Sequence, residues 1–283
     1  MARPGTSAAF AAPDALASGT TRTRHRDGAP RRVVWLVTSL SIAAGVIAWT
    51  IASSALDSPL FPSPLRILHA LAESVGNGTL IADVGASVRR IAIGFVLGCA
   101  VGVPLGLAMG LFPLVRAFCD PVVQFLRFVP PIAWLIPAIM WFGIGETSKV
   151  AIIFYMTVFL VLLNTMAGVA AIPRNQLRCA ENYGVSGLQL FSWVVFPATL
   201  SYSIAGARIA MGNSFAAVVG AELIAANAGL GYRIVDSSQW MAMDQMFAAM
   251  LVLGLLGIAA DRIARALAAR FLRRYLHGAT HDH

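Results

Sequence analysis

Charge is what this sequence has least of. Only 12% of its 283 residues are Asp, Glu, Lys or Arg, about half the usual share for a soluble domain, which excludes an ordinary water-facing surface. Lysine is scarcer still. Of the 21 basic residues only Lys149 is a lysine, and it stands between Ser148 and Val150, whereas a phosphate-cradling loop needs glycine before its lysine and Ser or Thr after it. The chain has no P-loop, so any nucleotide hydrolysis linked to it belongs to another chain. The three cysteines, Cys99, Cys119 and Cys179, share no CxxC spacing and form an odd set, which argues against a disulfide scaffold or a zinc site. All five histidines (His25, His69, His277, His281, His283) fall outside the apolar runs, leaving no histidine for a metal site within them. HExxH and GxSxG are both missing. We therefore expect no catalytic residue, no metal site and no cofactor.

What the sequence has is apolar length. Hydrophobic residues make up 58% of it and mean hydropathy is +0.74, and a membrane-crossing helix needs about 20 mostly apolar residues. Six such runs can be marked, at about 33–55, 88–111, 122–142, 150–170, 198–225 and 246–268. They predict an all-α, polytopic membrane bundle of six transmembrane helices, a single domain over 33–270, between a disordered tail at 1–32 and a short tail at 271–283. The run at 33–55 outlasts a signal-peptide core of roughly 7 to 15 residues, so it is read as an uncleaved first span. The prolines of 57–64 break the helix after it, and 65–74 is expected to form a short amphipathic surface helix. With the amino terminus in the cytoplasm, the basic residues, Arg116 and Arg127 among them, fall mostly on inner segments. Only Arg66, Arg89, Arg90, Lys149 and Arg233 fall outside, so the positive-inside rule places both termini in the cytoplasm of an inner, plasma-type membrane. The net charge of +8 thus reports orientation in lipid rather than nucleic acid.

The most informative polar stretch is 172–197, on the cytoplasmic side between the fourth and fifth runs. Pro173 stops the fourth span, and residues 175–183 have adequate helix propensity. Gly184 suits the left-handed turn that ends such a helix, Ser186 is placed to cap a second one, and Pro197 suits the first turn of span five. Helix, glycine turn, helix and proline make a compact knob of a shape that docks and transmits rigid-body motion; an ordinary helical connection is the plainer reading of the same residues.

The frame Ala180-x3-Gly184-x12-Pro197 resembles the coupling loop, often called the EAA loop, of binding-protein-dependent ABC importer permeases. The resemblance runs from about Ser63 to Arg270. It includes Phe61-Pro62-Ser63-Pro64, Asp120-Pro121, Arg127-Phe128-Val129-Pro130-Pro131-Ile132-Ala133-Trp134, Trp141-Phe142-Gly143-Ile144-Gly145-Glu146, Leu163-Asn164-Thr165 and Ala221-Glu222-Leu223-Ile224-Ala225-Ala226. It is nearest to the branch importing taurine, alkanesulfonates, nitrate and related small compounds; a pyrimidine or vitamin precursor is the alternative cargo. The resemblance implies a homodimer of this chain with two ATP-binding-cassette ATPase subunits and a periplasmic or lipid-anchored solute-binding protein. It assigns contact with the ATPase to Arg178, Ala180, Tyr183, Gly184, Gly187 and Pro197. Arg178 stands where the loop's usual leading glutamate would be.

Within the spans, Arg208 lies 11 residues after Pro197, about 16 Å along a helix. A charge so placed faces a bundle interior or an aqueous cavity, and we expect it to pack on backbone carbonyls in preference to meeting an anionic substrate. Asn164, Thr165, Asn213 and Ser214 are candidates for lining a path, or equally for holding helices together. Gly94, Gly98, Gly102 and Gly106 repeat every fourth residue and predict a helix-packing face. Pro130 and Pro131 free the carbonyls of Leu126 and Arg127 and should bend span three, as a hinge or as a fixed kink. Glu222 is expected near the outer end of span five, meeting water in preference to sealing a gate. An ion-coupled carrier would need acidic or histidine groups at mid-depth and broken spans in matching halves, and we expect neither.

Overall fold

The computed structural model describes residues 31–56 and 58–276. Most of the two expected tails, 1–30 and 277–283, lies outside the described residues. The elements are α1 (Arg31–Leu56), α2 (Pro64–Gly76), α3 (Thr79–Leu111), α4 (Pro113–Leu126), a 3-10 turn (Pro131–Trp134), α5 (Leu135–Phe142), α6 (Glu146–Ala170), α7 (Arg174–Asn182), α8 (Gly187–Leu190), a π-helical turn (Phe191–Val195), α9 (Phe196–Ala225), α10 (Leu230–Gln239) and α11 (Met243–Leu276). Among the described residues there is no strand, and six helical crossings result when the bent pair α4–α5 counts as one. The chain divides into two units. Of the first, Met1–Ala48, the described part is the opening stretch of α1; the second, Trp49–His283, holds everything else.

The second unit is built around α6, with α3 on one side and α9 on another. Glycine permits the approach on the α3 side. A Cβ added at Gly94 would lie 2.7 Å from the Ile153 Cβ, one at Gly98 2.5 Å from the Thr157 Cβ, one at Gly102 2.8 Å from the Val158 carbonyl and one at Gly106 2.6 Å from the Leu162 carbonyl. The four-residue repeat is therefore a backbone-to-backbone seam, as its spacing predicts. On the α9 side, Gly168 receives Tyr202 and Gly206 receives Asn164. Around this centre Trp49, Phe61 and Phe247 form an aromatic cluster, joined by Ile67, Ala70 and Ala248. The short helix expected at 65–74 is α2, longer by a few residues and with one face buried against α11 rather than lying free on a surface.

The third crossing departs furthest from a straight rod. α4 and the 131–142 segment meet at 92°, because two adjacent prolines deny the helix two amide donors. One of the freed acceptors, the Leu126 carbonyl, accepts from the Val129 amide at 3.0 Å and from the hydroxyl of Tyr155 on α6. The Trp134 ring packs beside it, with ring centroids 5.7 Å apart.

Several expected boundaries need correction. The second crossing begins at Thr79 instead of 88, which places Arg89 and Arg90 well inside a helix; the helix of the third run begins at Pro113 instead of 122, with Pro121 inside it; and the last helix runs to Leu276. The added turns of α3 carry polar residues such as Asp83 and Ser87, buried against protein partners, so hydropathy alone underestimates the helix.

Candidate functional site

The segment between α6 and α9 folds as two short helices joined by a glycine turn. Gly184 has φ +77°, the Val185 amide bonds the Ala180 carbonyl at 3.0 Å and the Gly184 amide bonds the Glu181 carbonyl at 2.9 Å. Those two bonds are the Schellman pattern that ends a helix through a left-handed residue, so the spacing of Ala180 to Gly184 is the spacing of a helix stop. Gly187 follows with φ +56° and opens α8. One expectation is corrected here. Ser186 occupies the N-cap position but its side chain makes no cap bond. Pro197 stands in the first turn of α9, as expected, and α8 passes into α9 through the π-helical residues 191–195, with the Phe196 amide bonded to the Phe191 carbonyl. Pro197 has no amide to give the Trp193 carbonyl, and the helix widens by one residue instead of breaking. The second short helix is thus the prow of span five. Neither α7 nor α8 contains a buried residue, Arg178 is exposed, and Tyr183, Leu188 and Trp193 are 89%, 80% and 69% exposed.

The opposite end of α9 is closed by buried charge. Glu222 is 0% exposed, which corrects the expectation that it meets water. It accepts hydrogen bonds from Ser87 Oγ at 2.8 Å, Arg90 Nη1 at 2.6 Å and the Gly231 amide at 2.8 Å. Arg90, itself buried, also grips Glu146 through Nε and Nη2 at 2.8 and 2.7 Å and donates to the Ala228 carbonyl at 2.7 Å. Asp83 accepts from the Gly229 amide at 2.9 Å and from Arg233 Nε at 2.8 Å, while the Leu230 amide donates to Ser87 Oγ at 2.9 Å. Three amides at the start of α10, which a helix leaves without internal partners, are taken by side chains of α3 and α9. Lys149, expected outside the spans, is buried in the first turn of α6 and donates to the Gly145 carbonyl at 3.0 Å.

Between the two ends, the candidate path residues separate. Thr165 and Ser214 are fully buried in the α6–α9 contact, where Thr165 donates to Ser203 at 3.0 Å and Ser214 meets Thr157 at 3.2 Å. Asn164 donates to the Leu160 carbonyl at 2.7 Å and fills the space opposite Gly206. These three hold helices together in this structure. Asn213 is partly exposed and donates to the Ile209 carbonyl at 2.9 Å. Arg208 does not pack on carbonyls. Its Nε lies 2.8 Å from Asp261 Oδ1, and Arg265 reaches the other oxygen of Asp261 at 2.8 Å. Asp261 is thus an acidic group within the last crossing, which the expectation of none had passed over.

The profile of the family described as "Binding-protein-dependent transport system inner membrane component" matches residues 102–273, a range holding the glycine turn, the break in the third crossing and all of α6 and α9. The chain belongs to that family. It is an inner-membrane permease component of ABC transport, a transport subunit, and such components work with ATPase subunits and a substrate-binding protein. The permease is 35% identical over 256 residues to the taurine transport system permease protein TauC of Escherichia coli, covering 85% of this chain and 93% of that one. It is 34% identical to the putative aliphatic sulfonates transport permease protein SsuC of Escherichia coli, over 82% and 89% of the two chains. It is 30% identical to the nitrate import permease protein NrtB of Synechocystis sp., over 79% and 84%. Among solved structures, a chain from inward-facing conformations of the MetNI methionine ABC transporter superposes with a TM-score of 0.56 at 18% identity, covering 64% of this permease and 92% of that chain; it supports the fold.

Sequence reasoning about this permease found the glycine turn but missed Asp83, Ser87 and Arg90 as a group. A signal was available. They are spaced i, i+4 and i+7, one face of a helix, and polar residues repeating at that spacing ahead of an apolar run ask for buried partners.

Proposed function

We propose that this permease subunit carries a small organic or inorganic anion, such as taurine, another sulfonate or nitrate, inward across the inner membrane, driven by ATP hydrolysis on separate subunits. Two copies of the chain form the path, two ATPase subunits bind the 174–196 prows, and a periplasmic or lipid-anchored binding protein delivers the solute to the Glu222 end. Residues 33–270 are the membrane domain, with both tails in the cytoplasm. The cargo class rests on the relatives named for taurine, aliphatic sulfonates and nitrate. Pairing of two copies draws support from α9, where Gly212 has nothing within 4 Å of its Cβ position and Ala205 and Ala216 are exposed; small residues allow a second backbone close approach.

The single observation that carries the assignment is the exposed prow joined to span five without a loop. A push on α8 reaches α9 as motion of one continuous helix, whereas a flexible link would absorb it. Arg178, Ala180, Tyr183, Gly184 and Gly187 form the docking surface in this reading, Pro197 sets the π-helical joint, and Pro130 and Pro131 set the bend of the third crossing.

The exposed thiol of Cys179 supplies the test. With Cys99 and Cys119 replaced by alanine, a membrane-impermeant maleimide should label Cys179 in inside-out vesicles, not in intact cells, and prior assembly with the ATPase subunits should block labelling. Labelling of intact cells would place the prow outside and end this reading.

A further inference from the structure

The basic side chains on α3, α6 and α9 all have carboxylate partners. Arg89 and Arg90 meet Glu146, Arg90 also meets Glu222, Lys149 lies near Glu146, and Arg208 meets Asp261. Arg127 differs. It caps α4 at the break in the third crossing, it is exposed, and among the described residues it makes no ion pair; its guanidinium carbon lies 4.6 Å from the centre of the Phe128 ring. The depth of the break follows from α6. Tyr155, which bonds the carbonyl of the preceding residue, stands nine residues after Glu146 and fifteen before Ala170, about 14 Å and about 22 Å from the two helix ends at 1.5 Å per residue. Arg127 therefore starts from well inside the crossing, not from the cytoplasmic loop to which charge counting assigned it.

Beside it is a cavity of about 300 Å³, bounded by Arg127, Phe128 and Val129 on one wall and by Tyr155, Phe159 and Leu163 on the other. That is the low end of the range for small-molecule pockets. The turn after the break also reaches α9, since a Cβ at Gly220 would lie 3.6 Å from the Ile132 side chain. An unpaired charge at membrane depth is costly unless it faces water or an opposite charge, and a guanidinium presents a planar fork of donors that matches an oxyanion. Arg208 lacks that freedom, because its Nε is already bonded to Asp261 at 2.8 Å.

We infer that Arg127 is the anion station of the transport path: the broken third crossing holds an unpaired guanidinium at depth, over a small cavity, where the singly charged oxyanion head of a passing solute takes the place that a carboxylate fills beside Arg90 and Arg208. The inference rests on the anion-import reading above and names the side chain that would give it selectivity.

The test uses the whole transporter, permease with ATPase subunits and binding protein, in proteoliposomes, with labelled taurine and labelled nitrate as probes. Hydrogen bonds to charged groups contribute enough that Arg127→Gln should lower uptake of the transported anion roughly 10- to 100-fold. ATP hydrolysis stimulated by the binding protein should persist, and Arg127→Lys should restore part of the uptake. Unchanged uptake in Arg127→Gln overturns the inference and leaves the import reading standing. Loss of uptake together with loss of stimulated hydrolysis in both variants also overturns it, since that pattern belongs to folding or coupling. Should the unaltered transporter move only uncharged solutes, the anion reading fails and the inference falls with it.

Discussion

At the Glu222 end of α9, three amides of the next helix and the carboxylates of Asp83, Glu146 and Glu222 are all matched by partners within 3.1 Å, most of them buried. At the Phe196 end of the same helix, α7 and α8 bury nothing, and Tyr183, Leu188 and Trp193 along residues 174–195 turn to the outside. One end is complete within a single chain, and the other is shaped but unpartnered. The contrast assigns different kinds of work. A buried ion network holds α3, α6, α9 and α10 in one arrangement. A bare pair of helices with a rigid turn gains its stabilisation only when something covers it.

The sharpest way to break the comparison is to remove a charge from the closed end. Arg90→Met leaves Glu222 and Glu146 without their shared cation, and breaking a buried pair from one side costs about 3–5 kcal/mol. In detergent the unfolding temperature of the variant should fall by roughly 10 °C, and the double change Arg90→Met with Glu222→Met should recover part of that loss, because it leaves fewer buried charges unpaired. A single variant as stable as the parent would show that the network is not what closes this end. The seam below it gives the next effect. Gly106→Ala puts a Cβ 2.6 Å from the Leu162 carbonyl and 2.8 Å from the Thr165 Cβ, and overpacking of that kind costs about 1–3 kcal/mol; the same thermal measurement reads it.

How much of this could be read from residues alone depends on the range of the forces involved. The turn at Gly184 was legible because a left-handed helix stop is local: its glycine, its Ala180 acceptor and the prolines around it lie within one stretch of chain. The seam of Gly94, Gly98, Gly102 and Gly106 was legible as a face because periodicity is local too, although nothing in it named α6 as the partner. Glu222 was misread for the opposite reason. Its burial depends on Ser87 and Arg90, more than 130 residues away in sequence, and a carboxylate near a helix end defaults to water until its partners are known. Arg208 and Asp261 are a similar case, 53 residues apart. Pro197 does stand in the first turn of α9, but the π-helical joint before it was not legible, because whether a helix starts at such a proline or widens around it is decided by what continues on its amino-terminal side.

At the open end the expected effects on stability shrink while those on transport do not. Gly184 has no neighbour within 4 Å of its Cβ position, so the Cβ of Gly184→Val meets no clash; the expected effect comes from holding a β-branched residue at φ +77°, about 1–2 kcal/mol of local strain. The permease should fold, assemble and sit in the membrane, yet ATP hydrolysis should no longer be matched by uptake, because the angle between α7 and α8 is altered. Equal uptake per ATP in this variant and the parent would remove the rigid turn from the mechanism.

The smallest effect on stability is expected at Tyr183, and it separates the two ends most cleanly. The ring is 89% exposed and its residue closes α7 through the bond from its amide to the Cys179 carbonyl at 3.2 Å, a backbone contact that any non-proline residue retains. Tyr183→Ser should therefore change the unfolding free energy of the isolated permease by no more than about 0.5 kcal/mol, as surface substitutions away from buried networks do. If a partner covers this end, the same substitution removes an aromatic anchor from the contact, and aromatic side chains are prominent among the few residues that dominate interfaces, at about 2 kcal/mol or more each. Co-purification of the ATPase subunits with the Tyr183→Ser permease should then drop by roughly 30-fold in affinity, against an unaltered melting curve. A fall in melting temperature would mean that the ring stabilises the permease itself, and unaltered ATPase binding would mean that the open end is covered elsewhere than at Tyr183.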